Sequence, residues 1–409
     1  MNDEWKSKKQ KEDFNYSAFI IHHSSFRRGE AIMSDQLELK SIELKGFKSV
    51  DAEGQTIELR PITVMLGANG AGKSNLVSFF KMLNYMTTGG LQQYVADQGF
   101  ADSLLHFGAK TTSEVSALLL FEDKRAKDEY AFVLSRDATG RLFLQDESVV
   151  FHLAGRPAPR IIKLGGGVRE SQLKAFADKG GDRTCKVVYY LLSRCQVFQF
   201  HDTSETAKIR SPGYKDDARF LRSDAGNLAA FLRGLRNRKA GERYYDRIVR
   251  HIGQMVPQFA DFDLEPSPEN DKYVRLNWRE KGSDYLFGPH QLSDGSLRFM
   301  ALTTLFMQPP DLRPRVIIVD EPELGLHPAA ISALAGMVKA APPATQVILA
   351  TQSSRLVDEF TADQVMIVER DEKHPRSVFR RLNEQDLGEW LERYCLSQLW
   401  EKNVLGGRP

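Results

Sequence analysis

Five short stretches of this chain carry side chains whose types and spacing suit phosphate chemistry. The first, Gly67-Ala68-Asn69-Gly70-Ala71-Gly72-Lys73-Ser74, fits the pattern G-x-x-x-x-G-K-[ST]. Glycines in such a loop let backbone N–H groups turn around phosphate oxygens, the lysine supplies a charge to the outer phosphates, and the serine hydroxyl can ligate Mg²⁺. Gly67, Asn69, Gly70, Ala71, Gly72, Lys73, Ser74 and Asn75 are the candidate nucleotide-binding residues, and Lys73 also belongs to the candidate catalytic set. The second stretch is the carboxylate pair Asp320-Glu321, in which Asp320 suits a magnesium ion and Glu321 can orient or deprotonate an attacking water. Gln352, in Thr351-Gln352-Ser353, can sense the terminal phosphate as a third catalytic candidate. Ser293 and Gly295, in Leu292-Ser293-Asp294-Gly295-Ser296, offer a hydroxyl and backbone N–H groups at a helix start. The last is Gln199 in Val197-Phe198-Gln199-Phe200-His201-Asp202-Thr203. There the glutamine can reach a metal or the attacking water, or His201 and Asp202 can simply close a turn.

Each stretch sits in a context that would position it. Ile62-Thr63-Val64-Met65-Leu66 reads as an apolar strand leading into the glycine loop, and Asn75 to Leu83 reads as a buried helix leading out of it. Val316 to Val319 is an unbroken apolar run, the signature of a strand buried on both faces of a parallel sheet, Gln346 to Ala350 reads as another buried strand, and both end in polar side chains. Carboxylates at the end of a buried strand are costly without a cation or water to hold. Phe299-Met300-Ala301-Leu302 continues the serine-glycine turn as a core helix, and a mere N-capped helix is the plain alternative for that motif alone.

Elsewhere, Leu37 to Lys45 alternates as a half-buried strand, Thr56 to Leu59 follows as another, and both suit a mixed sheet built against a nucleotide. Val115–Phe121, Tyr130–Leu134 and Arg141–Leu144 form an antiparallel lobe with a turn at Asp137 to Gly140. Gly165-Gly166-Gly167 is a loop, because no lysine follows in register. Gln172 to Asp178 is a short helix, and Val187 to Leu192 is apolar without a defined type. Residues 207–250 hold twelve basic side chains against five acidic ones, with Leu228, Phe231, Leu232 and Leu235 on one helical face. Both a solvated face and a surface for phosphate backbones or a partner fit that pattern. Leu387, Trp390, Leu391, Tyr394, Cys395 and Leu399 predict an amphipathic tail helix docked on the body.

The 409 residues allow one large α/β domain or two to three lobes, and 56 Lys and Arg against 54 Asp and Glu leave +2, no field for a nucleic acid or membrane overall. Three cysteines without CxxC spacing argue against zinc and disulfides and for a reducing, cytoplasmic setting. No apolar run nears the roughly 18 residues that cross a bilayer, which predicts a soluble protein without a membrane partner. The expected organisation is a disordered extension over 1–32, with Met33 a natural start; an N-lobe with the glycine loop and antiparallel sheet over 33–150; a helical, basic insertion over 151–285; and a C-lobe over 286–409.

Taken in order, the glycine loop, Leu292 to Ser296, Asp320-Glu321 with Leu324-Gly325-Leu326-His327-Pro328, and Thr351-Gln352-Ser353 resemble the ABC-type ATPase heads of the SMC, RecF and OLD group. Phe198 to Thr203, Leu292 to Arg298, Asp320 to Pro328 and the tail from Trp390 to Pro409 resemble, more narrowly, a bacterial family of stand-alone AAA/ABC-type ATPases. Gln352 stands where transporter ATPases carry histidine, which favours the DNA-maintenance and defence branch. The resemblance implies a P-loop NTPase fold and Mg²⁺-dependent ATP hydrolysis, with Ser74, Asp320 and Gln199 around the metal. It also implies a homodimer in which Ser293 and Gly295 of one subunit close over ATP held by Lys73 of the other. The region between the glycine loop and Ser293 lacks the heptads of coiled-coil arms, and the residues after Ser354 leave no room for the nuclease of OLD proteins. The expected output is a switch acting on DNA or a separate nuclease-like protein, in repair or anti-phage defence; an ATP-dependent scaffold or sensor without nucleic acid is the other reading.

Overall fold

The computed structural model describes residues 37–155, 158–179, 182–266, 270–341, 345–371 and 373–407, so the expected extension over 1–32 and the start at Met33 lie outside the described residues. Packing divides the chain into two units, neither continuous in sequence, whereas the lobes expected from the sequence follow one another along it. One unit takes residues up to Arg60, Ser74–Cys195 and Val368–Arg380; the other takes Pro61–Lys73, Gln196–Ile367 and Arg381–Pro409.

The first unit is built on a six-stranded antiparallel sheet in the order Gln55–Glu58, Glu38–Lys45, Glu114–Glu122, Ala126–Arg136, Leu142–Leu153, Arg160–Gly165. Burial alternates along its strands, most regularly in Glu114–Glu122, where Val115, Ala117, Leu119 and Phe121 are buried on one face and Ser116, Leu118 and Leu120 are half-buried on the other. Phe79, on the helix Lys73–Thr88, packs between Phe47 and Phe132 with ring centroids 5.7 and 6.4 Å away. The two N-terminal strands belong to this antiparallel sheet, where a mixed sheet built against a nucleotide was expected for them. Alternation of polar and apolar residues says that one face is buried but not against which sheet. The apolar run at Val187 to Leu192 lies within a helix, Arg183–Ser193, started by Asp182, whose carboxylate accepts from the N–H groups of Thr184 and Cys185.

The second unit holds the parallel strands. Val365–Arg370, Ile62–Leu66, Gln346–Thr351, Val316–Asp320 and Cys195–Phe198 lie side by side in that order. The pairings of Ile62–Leu66 with both neighbours, and of Gln346–Thr351 with Val316–Asp320, are parallel. Every residue of Val316–Asp320 and Gln346–Thr351 is buried, as runs without alternation require. A single apolar core joins these strands to the helices Leu228–Asn237, Glu242–Met255, Asp294–Met307 and Pro328–Lys339.

The tail differs from the expected single helix. It forms two, Glu384–Leu391 and Leu396–Glu401, the second started at Cys395, whose N–H is taken by the Gln398 side chain. Leu387 and Leu399 are buried, but Trp390 is 46% exposed, and the chain leaves the helix from Glu392 to Cys395. The second helix is anchored where the Ser397 N–H donates to Asp358 at 2.8 Å, and farther on the Gly407 carbonyl accepts from the N–H of Ala68 at 3.0 Å. No helix among the described residues is long and apolar enough to cross a membrane.

Candidate functional site

Parallel pairing brings the chemistry-bearing stretches to one edge. Asp320 is level with Ala350, and Thr351 is level with Leu66, so three adjacent strands end together. Beyond their ends lie Asp320-Glu321, Thr351-Gln352 and the loop starting at Gly67, the carboxyl edge at which α/β sheets bind ligands. The loop itself turns through Gly70 at φ +77° and Gly72 at φ +119°, conformations that a side chain would oppose.

Lys73 is 5% exposed and folds back on its own loop, donating from Nζ to the carbonyls of Gly67 at 2.6 Å and Ala68 at 2.9 Å. Burial lowers its pKa, and the charges of Glu321, Asp320 and Glu323 act in the opposite direction. Ser74 and Asn75 follow in the helix that Lys73 opens. Ser74 is exposed, while the Asn75 amide donates to the Ser49 hydroxyl at 2.7 Å.

Asp320 is 6% exposed. Its Oδ2 accepts from Gln199 Nε2 at 2.9 Å, whereas Oδ1 is buried with no hydrogen-bond partner among the described residues. His201 Nε2 lies 2.9 Å from the Asp320 carbonyl, an acceptor, so that nitrogen carries the proton. Gln199 reaches Asp320, and Asp202 closes a turn by accepting from the Ser204 N–H and hydroxyl.

Glu321 stands at φ +44°, in the left-handed region that costs a non-glycine residue about 1–3 kcal/mol. The cost is sustained by the sheet, since the Glu321 N–H donates to the Ala350 carbonyl at 2.8 Å and so continues the ladder while the chain turns away. Glu323, a carboxylate to which the sequence reading assigned no role, accepts from Thr351 Oγ1 at 2.6 Å, and burial raises its pKa. It ties the turn after Asp320 to the strand end beside Gln352, whose side chain is exposed.

Ser293 caps the helix Asp294–Met307 by accepting from the Ser296 N–H at 3.1 Å. Gly295 is required by a close approach: a Cβ there would lie 2.3 Å from the Gly325 carbonyl oxygen. The helix start is thus seated on the Leu324 to Leu326 turn. Arg298, next along the helix, reaches the carbonyls of Phe200, His201 and Leu324 at 3.1, 2.8 and 3.2 Å. Its position just after a motif is the signal that could have singled it out.

Several basic side chains of the 207–250 stretch are engaged elsewhere within the protein. Lys208, Lys215, Arg222, Arg236 and Arg238 pair with Asp224, Asp271, Asp217, Glu265 and Asp311, Arg247 donates to the Met307 carbonyl, and Arg210 is buried. Leu228, Phe231, Leu232 and Leu235 face the core as the spacing predicted.

A family model described as "AAA domain, putative AbiEii toxin, Type IV TA system" matches residues 193–358, and another described as "AAA domain" matches residues 41–205. No curated protein matches the chain. Among solved structures, an Smc head bound to the C-terminal winged-helix domain of ScpA is similar with a TM-score of 0.54 at 17% identity, over 85% of this chain and 99% of that one. An Smc head domain with an extended coiled coil, bound to the C-terminal domain of ScpA derived from Pyrococcus furiosus, is similar with a TM-score of 0.52 at 16% identity, over 87% and 99%. At such identity the likeness is one of fold.

Proposed function

We propose that this chain, which has the fold of an SMC head and matches AAA-domain models over residues 41–205 and 193–358, hydrolyses Mg²⁺-ATP at the Gly67–Ser74 edge and couples hydrolysis to dimerisation. The observation that carries the reading is the convergence of three strand ends on one edge, with a buried lysine and a buried, half-partnered Asp320.

A magnesium ion fits the residues present. The partnerless Oδ1 of Asp320 is a buried anionic oxygen in want of a cation, and Ser74 adds an exposed hydroxyl, an all-oxygen set of the kind Mg²⁺ prefers. Gln199 would join by presenting its amide oxygen, a rotation that exchanges the two ends of the amide. When bound, the ion supplies charge neutralisation on the β- and γ-phosphate oxygens.

The chain's own groups do the rest. Phosphate oxygens replace the Gly67 and Ala68 carbonyls as acceptors for Lys73, whose charge the nearby carboxylates support. Glu321, turned out of the strand line by its left-handed backbone, orients the attacking water and takes its proton. Gln352 hydrogen-bonds the terminal phosphate and reports its presence. Ser293 and Gly295 begin an exposed helix start whose hydroxyl, N–H groups and dipole suit the phosphates bound by a second copy.

Substituting Glu321→Gln keeps the size and removes the base, so turnover should stop while ATP drives a stable dimer. Light scattering that shows a monomer with saturating ATP would overturn the sandwich. The match to an AAA domain of AbiEii-type toxins of type IV toxin–antitoxin systems supports a defence setting, in which DNA or a nuclease-like protein would be the target. A second reading, an ATP-dependent switch on a protein partner without nucleic acid, is favoured by the internal pairing of the basic stretch.

A further inference from the structure

We propose that Arg210 is a positioning residue for ATP hydrolysis, its buried guanidinium locking the Gln199–Thr203 segment to the Ser293 turn so that both act as one body. The proposal rests on the reading of Ser293 as a donor to a second copy's nucleotide.

Arg210 ends a single 3₁₀ turn, Lys208–Arg210, and is 7% exposed. Its Nε donates to the Thr203 carbonyl at 2.8 Å. Its Nη1 donates to the carbonyls of Pro289 and, at 3.1 Å, Leu292, and its Nη2 donates to Asp294 Oδ1 at 2.8 Å. Three backbone carbonyls and one carboxylate thus converge on one planar cation, and they come from the two segments that the site must hold in register. Leu292 and Asp294 flank Ser293, and Thr203 ends the segment that brings Gln199 to Asp320.

Capping alone does not account for this arrangement. Ser293 already starts its helix, and an arginine buried against carbonyls with one exposed carboxylate costs desolvation that an apolar side chain would avoid. What the guanidinium adds is direction, because its fork fixes several acceptors in one plane. The same segment is gripped from its other side: Arg298 donates to Thr203 Oγ1 at 3.1 Å as well as to the Phe200 and His201 carbonyls. A displacement of Gln199 is therefore passed through Thr203 and Arg210 to Ser293.

Arg210→Lys tests the idea, since it keeps the charge and the stem and removes the fork; Arg210→Gln removes both charge and fork. Phosphate release gives kcat and KM, calorimetry with a non-hydrolysable ATP analogue gives nucleotide affinity, and light scattering in the Glu321→Gln background gives ATP-driven dimerisation. Loss of a charged hydrogen-bond set should lower kcat by about tenfold or more and weaken dimerisation, while nucleotide affinity stays within about twofold. A lysine variant with parental kcat, or one that loses nucleotide affinity as steeply as kcat, overturns the proposal. Glu321→Gln alone separates the two readings: its failure to dimerise sinks the sandwich, whereas its dimerisation with and without Arg210→Lys sinks only the positioning role.

Discussion

Replacing Gly295 by alanine should separate nucleotide binding from hydrolysis. The added Cβ would lie 2.3 Å from the Gly325 carbonyl oxygen, whereas carbon and carbonyl oxygen settle at about 3.3–3.6 Å, so roughly 1 Å must be found. The oxygen has little freedom to yield. Gly325 is in the left-handed region at φ +71°, and the preceding Leu324 carbonyl is held by Arg298 at 3.2 Å. Strain of this kind costs about 1–3 kcal/mol, offset by the roughly 1 kcal/mol that alanine contributes over glycine within a helix. The fold should therefore survive with at most a few degrees' loss in Tm. The helix start, however, moves by roughly 1 Å relative to the turn that follows Glu321, and a misplacement of that size can lower turnover about a hundredfold. Phosphate-release kinetics should show that loss in kcat, and calorimetry should show unchanged affinity for a non-hydrolysable ATP analogue, because Gly67 to Lys73 are untouched. A variant that turns over within about threefold of the parent, with its Tm lowered as expected, would show that the seating of Ser293 on this turn is irrelevant to hydrolysis.

Two further outcomes follow from the structure. Asp128 is buried in the antiparallel sheet, its Oδ1 has no partner among the described residues, and burial with help from Asp123 raises its pKa from 3.8 to about 7. A raised carboxylate pKa means that the folded form binds the extra proton. The resulting destabilisation is absent below about pH 4, grows from there to about pH 7 and is constant above it. Asp128→Asn should accordingly raise Tm most at pH 8, with the gain shrinking as pH falls toward 4; a gain independent of pH would refute the assignment. For the choice of target, the internal pairing of the basic stretch predicts weak retention on duplex DNA in fluorescence anisotropy at low salt. Tight, salt-sensitive binding lost on charge reversal of Arg233 and Arg243 would favour a nucleic-acid target instead.

The strands that end at the site were legible because their burial on both faces leaves unbroken apolar runs, and because glycine loop, carboxylate pair and capped helix each have local chemistry. Parallel pairing of Val316–Asp320, Gln346–Thr351 and Ile62–Leu66 then followed from the same runs. What escaped was set by partners distant in sequence. Alternation in Glu38–Lys45 marks a half-buried strand without naming its sheet, and the tail's amphipathic pattern runs across a break at Cys395, whose N–H is taken by the Gln398 side chain. Arg210 reads as one more basic residue in a basic stretch, since nothing local records that its acceptors lie near Thr203 and Leu292. The left-handed backbone of Glu321 is likewise imposed by its bond to Ala350 and leaves no mark in composition.

The strand Ile62–Leu66, which delivers the glycine loop, has both of its neighbours, Gln346–Thr351 and Val365–Arg370, in the last part of the chain. Arg381 even reaches back to Thr63 across 318 residues. On the ribosome this has an order-of-events consequence. At about 5–20 residues per second the apolar strand waits tens of seconds with both edges unpaired. Such a segment is a substrate for chaperones during synthesis, and a stalled or truncated product presents it as an open edge for aggregation. Expression of shortened versions would for the same reason yield material without any nucleotide site, whichever half of the chain is kept.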